Sequence, residues 1–336
     1  MYKVENGEFF TSIFVETKDL KVEFIDYGAT IKQIQTPNHK GVFEDLLLEY
    51  KNSGDYINNS IYLNATVGPI SGRVKDGIID TNNHQYQLEK NQNDKHALHS
   101  SNLALSFKRF DHQIIENIHE TKVIFTYIET DFEDLNYRVS ITYTVVKNTI
   151  RVHFNVKTKT DFFFNLTNHA YFNLSGNLKN DITNHEVTIH TNTHHKLDKD
   201  LISTYQLLQD ELYDFTNSKS LKDPLLRLKG HPNNGYDDIY YFLNSDKTIP
   251  KASIYEPKSK RQLKIYSTYD HMVFYTHNNV NNLPLKHLNN HIKHYGLCFE
   301  FQKSPHGFHD GKSSKTYLKK NQVYNEEILF EFSLED

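Results

Sequence analysis

The sequence predicts an all-β protein, built as a large antiparallel β-sandwich. Three observations carry this. Apolar and polar residues alternate with period two in many short runs, β-branched and aromatic residues dominate those runs, and turn-forming Asn, Asp and Gly separate them. Helical spacing is weak everywhere.

The runs can be taken in chain order. Lys21 to Asp26 sets Val22 and Phe24 on one face. Lys122 to Glu129 repeats the pattern with Val123, Phe125 and Tyr127. Arg138 to Val146 and Thr149 to Lys157 alternate on either side of Lys147-Asn148. That spacing predicts a hairpin with Asn148 taking the positive φ of a tight turn. Ala252 to Tyr255, Leu263 to Tyr266, Met272 to Tyr275, Leu297 to Phe301 and Glu327 to Phe332 follow the same rule. Leu201 to Tyr213 has irregular apolar spacing and is expected to hold a turn or two of helix. Asn91 to Asp94 and Asn278 to Asn282 are loops by composition.

At 336 residues the chain is long for one domain, yet within the range of a single large sandwich. It shows no repeat, no low-complexity tract and no Pro-, Gly- or Ser-rich linker, so residues 1–336 are expected to form one domain. Aromatic residues reach 13%, which excludes a disordered chain. A net charge of −4 without a clustered basic face gives no basis for a nucleic-acid or acidic-lipid partner. Cys298 is the single cysteine, so no internal disulfide can form and a reducing compartment is the simpler expectation. Met1 to Phe10 lacks the apolar run of a secretory signal, and no stretch reaches the roughly 18 apolar residues of a membrane span. The expected location is cytoplasmic.

Several segments offer chemistry. Histidine occurs 20 times, including His96 with His99, His291 with His294, and the adjacent His194 and His195. Residues i and i+3 of a strand point to opposite faces, so metal-like spacing here needs a loop. These pairs are read as solvated histidines, with no metal. In Phe163 to Leu174 an apolar run ends in Thr167-Asn168-His169 before the aromatic pair Tyr171-Phe172. Such polar groups point either into a pocket or into a satisfied core. Glu300 and Gln302 share one face of their run, opposite Leu297, Phe299 and Phe301. That face meets solvent, or it holds a partly desolvated carboxylate whose raised pKa makes it a better base. Periodicity does not separate the two. Gly68 to Arg73 places an arginine after a glycine turn, and Asn233 to Asp238 places acids after an Asn-Gly turn; each is also ordinary turn chemistry.

Together these segments resemble the aldose 1-epimerase family. Asp26 to Thr30 looks like the family's N-terminal strand motif. Ala65 to Pro69 running into Gly72-Arg73 looks like its arginine loop. Leu98-His99 stands where the family has Leu-His-Gly-Gly. Thr167 to Leu174 is similar to its strongest signature, Gly235 to Asp237 to its Gly-Tyr/Phe-Asp motif, and Phe299 to Gln302 to the strand carrying its base. The six motifs occur in the family's order, from about residue 20 to about residue 302.

The resemblance implies a galactose mutarotase-like sandwich acting on a free hexose such as glucose or galactose, with no cofactor. It assigns Glu300 as base and His169 as acid in opening the hemiacetal. Arg73, His99 and Asp237 would bind the sugar. Read from the residues themselves and not from the family, Tyr171 and Gln302 are secondary candidates. An acid–base pair predicts a bell-shaped pH profile. Ser100 and Ser101 replace the two family glycines, so His96 is an alternative to His99. Ser203-Thr204-Tyr205 replaces a Pro-Thr-Gly segment, and tryptophan is absent. Rival readings are a hexose-phosphate mutarotase, a carbohydrate-binding protein without catalysis, and a purely structural role. A monomer and a homodimer are both compatible with the sequence.

Overall fold

The alternating runs assemble into three large antiparallel sheets, accompanied among the described residues by four two-stranded ribbons. The computed structural model describes residues 1–81, 83–243, 246–279, 283–288, 293–305 and 315–335. The first sheet is an N-terminal meander of five strands, Tyr2–Asn6, Thr11–Glu16, Lys21–Ile25, Thr30–Pro37 and Phe43–Asp45, each paired with the next.

The second sheet has nine strands. Its centre is the run Thr121–Glu129, Tyr137–Val146, Thr149–Thr158, Val323–Leu334 and Arg261–Ser267. The predicted hairpin joins Tyr137–Val146 to Thr149–Thr158, with Val146 opposite Thr149. One detail differs. Lys147, not Asn148, takes the positive φ, at 51°. Asn148 is used elsewhere, its side-chain amide donating to the Phe332 carbonyl at 2.6 Å.

The third sheet orders its strands as Ser203–Leu208, His194–Leu197, Asp237–Tyr241, His271–Tyr275 and Cys298–Gln302. The helix expected over Leu201 to Tyr213 does not form. That stretch holds the edge strand Ser203–Leu208 and one 3₁₀ turn, Glu211–Tyr213. Pairing with His194–Leu197 overrides a weak local preference. The described residues contain one α-helix, Lys222–Arg227, in a segment where no helix was expected. His291 and residues 280–282 of the expected Asn-rich loop lie outside the described residues.

All three sheets feed one apolar core. It holds Ile13 and Phe24 from the first, Phe125, Ile141 and Phe154 from the second, and Tyr240, Phe274 and Phe299 from the third. Phe24 stacks on Tyr143 between the first two, at 4.6 Å. Fully burying each such side chain contributes roughly 1.5–3 kcal/mol.

The third sheet turns its other face away from that core. In Cys298–Gln302 every residue is buried, not every second one. Phe299 and Phe301 enter the core, while Glu300 and Gln302 line a cavity. The opposing wall comes from two short ribbons, Thr66–Val67 with Thr167–Asn168 and Arg73–Val74 with Ala97–Leu98.

Candidate functional site

Strand register sets the floor of the cavity. Glu300 lies opposite Val273, Val273 opposite Ile239, and Asp237 opposite Tyr275. All five line one cavity of about 200 Å³, together with Arg73, His99, His169, Tyr171 and Gln302. Residues as far apart in sequence as Arg73 and Gln302 therefore share one pocket.

His169 follows the strand Thr167–Asn168, and its backbone is pinned on both sides. Its N–H donates to the Ala65 carbonyl at 3.0 Å, and its own carbonyl accepts the Asn64 N–H at 3.1 Å. The ring stacks on Tyr171 at 4.9 Å with an 18° interplanar angle. The Tyr171 hydroxyl is anchored to the Ile61 carbonyl at 3.0 Å. This leaves His169 Nε2 3.4 Å from Glu300 Oε1.

Both groups are buried, His169 at 5% and Glu300 at 4% exposure. Burial disfavours the charged form of each. It lowers the His169 pKa to about 4, and raises that of Glu300 to about 8. The Asp237 carboxylate pushes Glu300 further up, and the Arg73 guanidinium pulls against it.

Arg73 and Asp237 form an ion pair across the cavity, Nη2 to Oδ2 at 2.9 Å. Gly235 precedes Asp237 for a steric reason: a side chain there would overlap Asn278 and Thr276. Gln302 accepts the Ser71 hydroxyl through Oε1 at 2.5 Å.

His99 reaches the cavity from the ribbon Ala97–Leu98. Its Nδ1 accepts the Gly72 N–H at 3.2 Å. A backbone N–H can only donate, so the proton of the neutral ring sits on Nε2. Burial, then the charges of His169 and Arg73, hold the His99 pKa well below the usual value. His99 is thus a neutral donor. Ser100 and Ser101 do what glycines would do here. His99, Ser100 and Ser101 have φ of 51°, 67° and 45°, three consecutive left-handed residues.

His96, the expected alternative to His99, does not line the cavity that His99 reaches. Its Nδ1 accepts the Asp76 N–H at 3.0 Å, and its Nε2 lies 3.6 Å from Asp200. Both nitrogens face acidic residues, Asp76 and Asp200, that do not line the cavity. His194 and His195, expected to be solvated, are instead buried by packing, His194 stacking on Tyr213 at 4.4 Å and His195 against His271 at 5.1 Å.

Some lining residues carry no mark in the sequence. Tyr62 packs edge-on to His99 at 4.7 Å, from a backbone φ of 55° rarely adopted by an aromatic residue. Leu197, Leu201 and Ile202 form an apolar wall. Asp200, next to Leu201 in that wall, is ion-paired to Lys95 and lies 3.6 Å from His96 Nε2.

His99, His169 and Glu300 each present one ligand atom within 4.8 Å of the others, a donor set that three-ligand metal sites also use. Arg73 acts electrostatically on both His99 and Glu300, so a cation among them meets a fixed positive charge. The facing carboxyl and imidazole suit proton transfer, one able to take a proton while the other gives one.

Residues 12–331 match the family model described as aldose 1-epimerase. A galactose mutarotase of Homo sapiens is 26% identical over 322 residues, covering 94% of this chain and 92% of that protein. An aldose 1-epimerase of Streptococcus thermophilus is 27% identical over 283 residues, covering 82% and 79%. Among solved structures, galactose 1-epimerase from Lactobacillus acidophilus superposes with a TM-score of 0.83 at 20% identity, covering 100% of this chain and 99% of that one.

Proposed function

The chain belongs to the aldose 1-epimerase family, and from that premise we propose that it interconverts the α and β anomers of a free hexose, with Glu300 and His169 as the acid–base pair. The approach of His169 Nε2 to Glu300 Oε1, 3.4 Å apart on the cavity wall, carries this reading.

Glu300 takes the proton of the C1 hydroxyl while His169 gives one to the ring oxygen. The C1–O5 bond breaks and C1 becomes a carbonyl. Rotation about C1–C2 exposes its other face, and both proton transfers run backwards to close the ring. Ring opening leaves Glu300 protonated and His169 neutral. That is the state burial already favours, so the pocket's electrostatics stabilise the open-chain complex. His99 Nε2–H and Arg73 donate to oxygens near C1 and O5 as charge develops. Asp237 accepts from ring hydroxyls. Val273, Ile239 and Tyr171 give the sugar's C–H faces an apolar surface.

The charge of the lining favours a free sugar over a sugar phosphate. Among the described lining residues Arg73 is the single Lys or Arg, and it is paired with Asp237 beside the carboxyl of Glu300. A phosphate needs two or more cationic groups or a helix N-terminus.

The test is polarimetry on freshly dissolved α-D-glucose, α-D-galactose and α-D-glucose 6-phosphate. Faster approach to equilibrium with the free sugars is expected. Acceleration only with the phosphate would move the reading to its rival. Saturable galactose binding without acceleration would leave a binding protein.

A further inference from the structure

The three left-handed residues at His99 raise the question of what holds them there. A non-glycine residue in this region is strained and persists only where its surroundings determine it. Among the described residues the Ser101 hydroxyl makes no hydrogen bond, while that of Ser100 makes two. Its Oγ accepts the Ile70 N–H at 2.8 Å and donates to the Ile70 carbonyl at 2.9 Å. Ser100 and Ile70 are both fully buried.

Ile70 needs those bonds. It lies beside Asn165 in a parallel bridge whose hydrogen bonds use the neighbouring Pro69 carbonyl and Ser71 N–H. The N–H and carbonyl of Ile70 itself point the other way, toward Ser100. Ordinary antiparallel pairing would satisfy them with a facing backbone. The left-handed turn at Ser100 directs its own carbonyl to the Leu103 N–H instead, at 2.9 Å. The serine hydroxyl stands in for the missing backbone partner.

The consequence reaches the cavity on both sides. Three residues past Ile70 is Arg73, and one residue before Ser100 is His99. Between them the His99 N–H donates to the Gly72 carbonyl at 2.9 Å, and Leu98 pairs with Arg73. We propose that Ser100 is a positioning residue, whose hydroxyl staples the histidine loop to the arginine loop and so fixes His99 and Arg73 relative to each other. This rests on the role given above to those two residues. It makes the two serines unequal: Ser101 only replaces a glycine, while Ser100 performs a function that a glycine cannot.

The experiment compares Ser100→Ala, Ser100→Gly and Ser101→Gly with the wild type, each assayed for anomer exchange well below its own melting temperature. Both Ser100 variants should lose on the order of tenfold or more in kcat with a smaller change in KM, as for a misplaced donor. Ser101→Gly should keep the wild-type kcat. In parallel, ¹⁵N NMR of the His99 ring should show one Nε2–H tautomer in the wild type and in Ser101→Gly, and a tautomer mixture in the Ser100 variants. Folded Ser100 variants with wild-type kcat and a single tautomer would overturn the proposal. An inactive wild type would overturn the mutarotase reading instead, and the tautomer measurement would still decide the role of Ser100.

Discussion

His169 Nε2 and Glu300 Oε1 face each other across 3.4 Å from opposite walls of the cavity. One end of the contact is set by a two-residue strand, the other by the strand Cys298–Gln302 of a five-stranded sheet. Neither charged form is comfortable there, and that shapes the predictions.

The pH profile should be a bell with a broad top. Ordinary values would place its limbs near the free carboxyl and imidazole pKa values, only about two units apart. Burial moves the outer limits to about 4 and about 8. Below the acid limb His169 is charged and Glu300 stays protonated, so no base is present. Above the basic limb Glu300 is ionised and His169 neutral, so the acid is missing. Between them the pair holds one proton in total. Measured kcat/KM should fall on both sides; a steady rise through pH 9 would exclude this pair.

Glu300 should cost the fold stability in base. Its folded pKa, raised to about 8, lies above that of the unfolded chain. Stability is therefore fully present below the unfolded value and lost as pH rises toward about 8, a loss on the order of a few kcal/mol. Glu300→Gln has no charge to bury. Its melting temperature should exceed that of the wild type at pH 9, and the difference should shrink at pH 5. A variant less stable than the wild type at pH 9 contradicts the assigned environment.

The two histidines of the His96/His99 pair should separate cleanly. His99→Ala removes the cavity-lining donor proposed above to reach the sugar, and a loss of about 10²-fold in kcat is expected. His96→Ala removes the acceptor of the Asp76 N–H and should lower stability by roughly 1–3 kcal/mol, read as a lower melting temperature, with kcat near the wild-type value. Equal losses of kcat in both would mean that His96 serves the site.

Proton transfer by the pair needs no metal. Dialysis against a strong chelator should leave the rate unchanged, despite the three donors within 4.8 Å. Activity lost to the chelator and restored by zinc would reassign His99, His169 and Glu300 as ligands.

Much of this was legible in the sequence because the residues concerned sit in short motifs whose backbone needs are local. Gly72 before Arg73 and Gly235 before Asp237 mark places where the chain turns or passes close to a neighbour. What alternation could not give was the destination of a face. Glu300 and Gln302 read like the solvent side of a half-buried strand until Thr167–Asn168 and the arginine loop cover them. Long-range partners were invisible for the same reason. Nothing local shows that the Asp76 N–H captures His96, that Ile70 depends on Ser100, or that Leu201 and Ile202 wall the pocket. The helix expected near Leu201 failed because an edge strand found a partner, which a weak local preference could not oppose.

The most direct measurement is the rate of optical-rotation change of fresh α-D-galactose with wild-type protein, Glu300→Gln, His169→Asn and the double variant. The wild type should accelerate the change. Each single variant should lose about 10²–10⁴-fold, and the double variant little more than either, because the two groups act as one unit. A Glu300→Gln protein that exchanges anomers at the wild-type rate would contradict the account at its centre.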